Sequence, residues 1–145
     1  MTYLDVEGGQ NGIVSGKDMT LKLGFEKKNN VVVNDLVVGI VCLNNRQEHC
    51  FLLRNDVYKQ MFSVSSNKGY IKIKIPKLPL GEGQYSLDVQ LMSLQGAHQG
   101  SYDWIEHGSG IDFYVNQGDF YGTGHSGFPS SASMFLDSEW DIVTE

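Results

Sequence analysis

The 145 residues supply one domain with a core of its own and fall short of two ordinary domains. With 41% hydrophobic and 19% charged residues, disordered and fibrous architectures are excluded. A net charge of −6 argues against a general affinity for nucleic acid, which depends on neutralising phosphates. The charge is divided along the chain. All 11 Lys and Arg lie at or before Lys77 with seven of the carboxylates, a balance of +4, while the other ten carboxylates follow with no basic side chain, a balance of −10. Nine of the sixteen aromatic residues lie between Tyr102 and Trp140.

In chain order, the N-terminus (Met1-Thr2-Tyr3-Leu4-Asp5) lacks the basic and apolar regions of a signal peptide. Gly12-Ile13-Val14-Ser15-Gly16-Lys17-Asp18 is one residue short of a phosphate-loop spacing. Asp18 also stands where that loop needs a hydroxyl, so the segment reads as a turn before a strand. Met19, Leu21, Leu23 and Phe25 then alternate with Thr20, Lys22 and Gly24, the period of a strand with one buried face. After the breaker at 27–30, residues 31–33 and 36–43 read as a longer, continuously apolar strand near the middle of a sheet. At about eight residues this is among the longest apolar runs, against the ~20 that a membrane helix needs.

Residues 44–47 read as a hairpin connection. Cys42 and Cys50 lie in strand-like runs and read as buried, reduced thiols, which places the chain in the cytoplasm. Residues 56–62 fit a short helix capped by Asn55, a strand or a loop. Ile71, Ile73 and Ile75 alternate with Tyr70, Lys72 and Lys74, residues 79–83 read as a second hairpin connection, and Tyr85, Leu87, Val89 and Leu91 define a further strand. In Ile111-Asp112-Phe113-Tyr114-Val115 the period puts Phe113 and Val115 inside and Tyr114 outside, and Trp140 with Ile142 reads as the core face of a final strand. Seven to nine short strands without a convincing helix predict an all-β antiparallel sandwich filling residues 1–145.

No catalytic or metal motif survives inspection. Gly124-His125-Ser126-Gly127-Phe128 has Phe128 where a nucleophile elbow needs glycine, and no helix follows. The histidines His49, His98, His107 and His125 are scattered, with neither C-x-x-C nor H-x-x-x-H, so no metal and no cofactor are expected; calcium on Asp103, Glu106 or Asp112 is the remaining option. As a glycosidase pair, Asp103 and Glu106 face opposite sides of a strand and read as solvated acids.

What remains is aromatic rings among directional polar groups, in and beside two glycine-rich stretches at 95–100 and 116–127. Sugars present apolar C–H faces rimmed by hydroxyls, which ring platforms and planar amide or carboxylate partners complement. The candidate contacts are His98, Tyr102, Tyr114, Tyr121 and His125, with Asp103 as a hydroxyl acceptor. Tyr70, Lys72 and Lys74, three outward positions on one strand, suit an acidic sugar or phosphate cap or else form a solubilising wet face.

The chain resembles the C-terminal carbohydrate-binding domain of Wzt-type proteins, the ATPase subunits of ABC transporters that export O-antigen polysaccharide. The resemblance is carried by Val37-Val38-Gly39-Ile40, then Leu80-Gly81-Glu82-Gly83-Gln84-Tyr85-Ser86-Leu87 and Tyr102-Asp103-Trp104-Ile105-Glu106. It continues through Phe113-Tyr114-Val115, Tyr121-Gly122-Thr123-Gly124 and Trp140, so that the ordered set spans about residues 18–143. Each piece alone is common among β-sandwiches; the order is the specific part. The resemblance implies an immunoglobulin-like or jelly-roll sandwich that binds the non-reducing end of a lipid-linked glycan at the cytoplasmic face of the inner membrane, without catalysis. It also implies a homodimer formed by exchange of the last strand, here 133–143 with Phe135 and Trp140, and contact with the transporter's membrane subunit through an ATPase domain. That ATPase domain is absent from this sequence, as expected of an excised C-terminal domain whose Met1 is an added start. Sugar contacts vary within the family, so none transfers by position. The alternative expectation is a structural or protein-interaction sandwich, an adaptor with no glycan ligand.

Overall fold

A computed structural model describes residues 3–8, 12–26, 33–57, 62–64, 68–93, 100–105, 111–125, 134, 136 and 138–143. Among the described residues the chain forms nine strands, β1 (Tyr3–Glu7), β2 (Met19–Glu26), β3 (Val33–Asn44), β4 (His49–Arg54), β5 (Phe62–Val64), β6 (Lys68–Ile75), β7 (Gly83–Ser93), β8 (Gly100–Ile105) and β9 (Ile111–Val115). They form a three-stranded sheet, β1-β2-β6, and a six-stranded sheet built on β3 and β7. All strand pairings are antiparallel. No helix among the described residues is long and apolar enough to cross a membrane. The predicted all-β sandwich is therefore the observed fold.

Between the sheets lies one core. Met19, Leu21 and Leu23 of β2 meet Val38, Ile40 and Cys42 of β3, Leu87 and Val89 of β7, and Phe113 and Val115 of β9. A fully buried Leu or Met contributes about 1.5–3 kcal/mol through removal from water, so these positions dominate stability. Tyr85 joins them by stacking on Phe113 and donating its hydroxyl to the Gly81 carbonyl at 2.8 Å. Burial pushes its phenol up to about 12. The continuously apolar strand is β3, and it runs between β7 and the β4/β5 side with Val37 and Leu43, on its outward parity, buried as deeply as its core face.

Two partners share the outer side of β3. β5 pairs Val33 and Leu36, β4 pairs residues 39–43, and the intervening stretch faces Asn55. There the Asn55 side chain accepts from the Val38 N–H at 2.7 Å and donates to the Leu36 carbonyl at 2.8 Å. An amide side chain thus completes the ladder where neither strand reaches. Asn55 therefore serves β3; residues 55–57 form a turn, Phe62 opens β5, and 58–61 lie outside the described residues.

The 44–47 connection is a hairpin as expected, held by Asn44 Oδ1 accepting from the Arg46 and Glu48 N–H groups. The 79–83 connection is not. It carries the chain from β6 in one sheet to β7 in the other. Its course is set by Ser15, whose hydroxyl donates to the Leu80 carbonyl, and by the paired bonds Gly16 N–H to Leu78 and Leu78 N–H to Lys17, both 2.8 Å. The phosphate-loop lookalike at 12–18 is thus the turn that anchors this crossing.

Both cysteines are free thiols. A register shift between Cys42 and Leu43 leaves Cys50 unpaired on β4 and packed against the core beside Cys42. Burial, with the second sulfur nearby, pushes the Cys42 thiol far above its ordinary value, and burial also raises Cys50. Since the thiolate is the nucleophile, neither side chain is activated. At pH 8 we expect Ellman's reagent to label Cys42 only after denaturation; labelling within minutes in native buffer would contradict the packing.

Candidate functional site

Of the expected recognition residues whose side chains are described, Tyr114, Tyr121 and His125 belong to β9 and the turn after it, and Tyr70, Lys72 and Lys74 to β6 in the other sheet. Tyr114 projects from the outer face of β9, half exposed, and its hydroxyl donates to Glu82 Oε1 at 2.9 Å. The Glu82 carboxylate, by accepting that proton, holds the Tyr114 phenol above its ordinary value. β9 runs directly into a turn built on Asp119, whose two carboxylate oxygens accept from Thr123 N–H at 3.1 Å and Gly124 N–H at 2.8 Å. The turn requires φ of 70° at Gly122 and 88° at Gly124, values glycine adopts without the cost that other residues carry. Tyr121 and His125 are carried on it, both exposed. The Tyr121 hydroxyl donates to the Leu136 carbonyl at 2.9 Å, and its ring meets Phe120 edge-on with centroids 5.0 Å apart.

Phe120 is the buried pin of the turn. It is 7% exposed, and Lys77 Nζ stands 4.4 Å from its ring centroid. Behind it, the Asn116 N–H donates to Ile13 at 2.8 Å and the Ser15 N–H donates to Asn116 at 3.0 Å. The tyrosines therefore sit on a braced scaffold, with their hydroxyls hydrogen-bonded and their side chains nearly half exposed. Sequence reasoning missed Glu82 and Asp119. For Asp119 a signal was present: an acid followed by Gly-Thr-Gly at hydrogen-bonding offsets is the pattern of an Asx-type turn.

On β8 only the backbone path is described. Asp103 stands opposite Leu91, and Tyr102 falls at the register shift between Leu91 and Met92. His98, His107 and Glu106 lie outside the described residues, and the carboxylate-pair reading falls there with them; of the calcium candidates, Asp112 is exposed on β9. Among the described residues no three His, Cys, Asp or Glu side chains converge as metal ligands would.

Tyr70, Lys72 and Lys74 occupy the outer face of β6 in the other sheet, all exposed. Opposite them on β2 are Gly24, Lys22 and Thr20. Lys22 pairs with Glu7 at 3.1 Å and stands 5.9 Å from the Tyr70 ring centroid. Lys74 pairs with Asp18 at 3.2 Å. The Lys77 backbone N–H and the Lys74 ammonium hold the Asp18 carboxyl below its ordinary value. Lys22, Lys68, Lys72 and Lys74 thus lie together on the three-stranded sheet.

Trp140 and Ile142 depart from their expected place in the core. They are 92% and 87% exposed, in a stretch without regular secondary structure that is not part of either sheet. Within the described chain Trp140 hydrogen-bonds only its neighbour, Nε1 donating to the Ser138 hydroxyl at 2.8 Å. A period-two pattern reports that a segment has an apolar face; it does not report that the same chain covers it.

Comparison with known proteins agrees with the architecture. No curated sequence matches the chain. A crystal structure described as that of the C-terminal domain of wzt superposes with a TM-score of 0.69 at 12% identity, over 97% of this chain and 81% of that one, a likeness of fold. The family model for the Wzt C-terminal domain matches residues 2–126. The chain therefore belongs to the Wzt C-terminal domain family, a domain of O-antigen transporters of the Wzt type.

Proposed function

We propose that this domain is a non-catalytic reader of the non-reducing end of lipid-linked O-antigen polysaccharide at the cytoplasmic face of the inner membrane. Binding of a finished chain would license its export through the ATP-hydrolysing and membrane subunits of the transporter. The observation that carries the reading is the pair Tyr114 and Tyr121. Both are nearly half exposed, and both hydroxyls are already committed, to Glu82 and to Leu136. What they offer a ligand is ring face, beside the Glu82 and Asp119 carboxylates and the His125 imidazole. Exposed rings on a braced turn suit the apolar side of a pyranose, while carboxylate, imidazole and backbone groups suit its hydroxyls. His98, Tyr102 and Asp103 extend the same candidate set, and Tyr70, Lys72 and Lys74 form a second one for an anionic cap.

The affinity expected of a few such contacts, each of ~1 kcal/mol and offset by ordering losses, is a dissociation constant of about 10–1000 μM. A homodimer formed by exchange of the last strand would raise it by avidity where two chain ends engage together. The test is titration of the domain with the O-polysaccharide of its source organism, followed by NMR. We expect shifts centred on 114–125; no response at millimolar chain ends from a folded sample would overturn the reading. Tyr121→Ala should weaken binding about five- to tenfold, one ring contact, whereas Tyr121→Phe should retain it. A second reading, a protein-interaction adaptor without a glycan, is favoured by one observation, the exposed apolar face of residues 138–143.

A further inference from the structure

Just past the end of β6, Lys77 takes a φ of 51°, in the left-handed region that glycine or asparagine occupies at less cost than lysine. Its backbone N–H donates to Asp18 Oδ1 at 3.2 Å, and its ammonium crosses to the Tyr121 turn, 4.4 Å from the Phe120 ring centroid. Glycine would make the same backbone bond without strain. What lysine adds at this position is therefore the ammonium. Lys17 arrives at the same place from the 12–18 turn, its carbonyl accepting from the Leu78 N–H at 2.8 Å, one residue along from Lys77. Its neighbour Gly16 packs on the tyrosine turn so closely that a Cβ there would lie 2.8 Å from Phe120 Cα.

Asp18 is the carboxylate at the centre of this cluster, and both its oxygens are used, Oδ1 by the Lys77 N–H and Oδ2 by Lys74 Nζ at 3.2 Å. Lys17 adds to the positive field that holds its carboxyl down. Three lysines thus gather around one acid, an excess of positive charge, and all four residues are exposed. Phe120 joins them to the candidate sugar platform: Lys77 stands over its ring, and the Tyr121 ring meets it edge-on with centroids 5.0 Å apart. Asp119, the acid of the turn itself, uses its two carboxylate oxygens on the Thr123 and Gly124 N–H groups. A pyranose laid on Tyr121 therefore brings a substituent on its near side to the lysines, whose flexible four-carbon stems can follow it.

We propose that Lys17 and Lys77 form one bipartite subsite with Tyr121. The terminal sugar of the glycan lies on the tyrosine ring, and an anionic substituent of that sugar, a phosphate or a carboxylate, is held by the two ammonium groups. The proposal rests on the glycan reading above and names the class of terminus that the site selects. Ammonium-to-oxyanion hydrogen bonds are about twice as strong as neutral ones and weaken with salt, so these two charges separate a capped chain end from an uncapped one. Through Lys74 and Asp18 the cluster also joins the outer face of β6 to the tyrosine turn.

NMR titration with the O-polysaccharide of the source organism, at low and at high salt, tests this on the wild type, K17M/K77M and the control K68M. Methionine keeps an apolar stem against Phe120 and removes the charge, Lys68 lies at the other end of β6, and thermal denaturation establishes that each variant is folded. The wild type should lose about five- to tenfold in affinity at high salt. K17M/K77M should bind about tenfold more weakly at low salt and be insensitive to salt, while K68M follows the wild type. Glucuronic acid or glucose 1-phosphate should displace the polysaccharide more readily than glucose, and the better of the two identifies the anion. A K17M/K77M variant that binds as tightly as the wild type, or keeps the wild type's salt dependence, overturns the anion subsite and leaves the glycan reading standing. So does a wild-type affinity that salt leaves unchanged, or displacement by glucose as readily as by either acid. A folded wild type that fails to bind the polysaccharide at all overturns both.

Discussion

Replacing Asn55 by alanine is expected to lower the unfolding free energy by about 2–4 kcal/mol, more than its half-exposed position in a turn would indicate. The side-chain amide stands in for a missing length of strand. Its oxygen takes the Val38 N–H and its nitrogen the Leu36 carbonyl, at 2.7 and 2.8 Å, between the end of β4 and the start of β5. Val38 and Leu36 are both buried, so alanine leaves a donor and an acceptor with little access to water. Each such orphan costs about 1–3 kcal/mol. Asn55→Asp, which keeps the acceptor and loses the donor, should fall between alanine and wild type. Urea denaturation measures all three; an alanine variant within about 0.5 kcal/mol of wild type would show that water replaces the amide.

Gly118→Ala is expected to cost about 3 kcal/mol or more and to disturb the Tyr121 turn with it. A Cβ at this position would lie 2.2 Å from the Ser15 carbonyl oxygen and 2.7 Å from Val14 Cγ1. The first of these atoms is backbone, in the turn that also holds Leu78 and Leu80, so relief requires the 12–18 turn and the 116–120 segment to separate. Gly122→Ala is the informative comparison. Its Cβ would meet nothing within 4 Å, and only the φ of 70° opposes it, so its loss should be near 1 kcal/mol. Thermal denaturation of both separates steric overlap from backbone strain; equal losses would refute the close approach at Gly118.

Much of this fold was legible because a strand's two faces are written into neighbouring residues. Phe113 and Val115 inside with Tyr114 outside, and the long apolar run of β3 at the centre of a sheet, follow from local alternation and were found as expected. The 79–83 connection was misread because Gly and Pro report that the chain bends, and a hairpin and a crossing between sheets bend alike. For Asn55 the sequence offered a local choice among helix cap, strand and loop, while its bonds to Val38 and Leu36 reach 17 and 19 residues away, beyond any local pattern. On the candidate site, the rings Tyr114 and Tyr121 were visible in the sequence while the carboxylates that position them, Glu82 and Asp119, were passed over. Glu82 lies 32 residues from Tyr114, and only strand pairing between β7 and β9 brings the two together.

The divided charge has the same lesson. By itself the sequence determined an all-β domain with a basic first half and an acidic, aromatic second half, since composition and period two are properties of consecutive residues. The tertiary structure decided where those halves meet. It placed Lys68, Lys72 and Lys74 on β6 and left Trp140, Ile142 and Val143 of the last segment exposed. Burial belongs to a residue's neighbours in space, and local pattern could show that Trp140 has an apolar face to cover without showing what covers it.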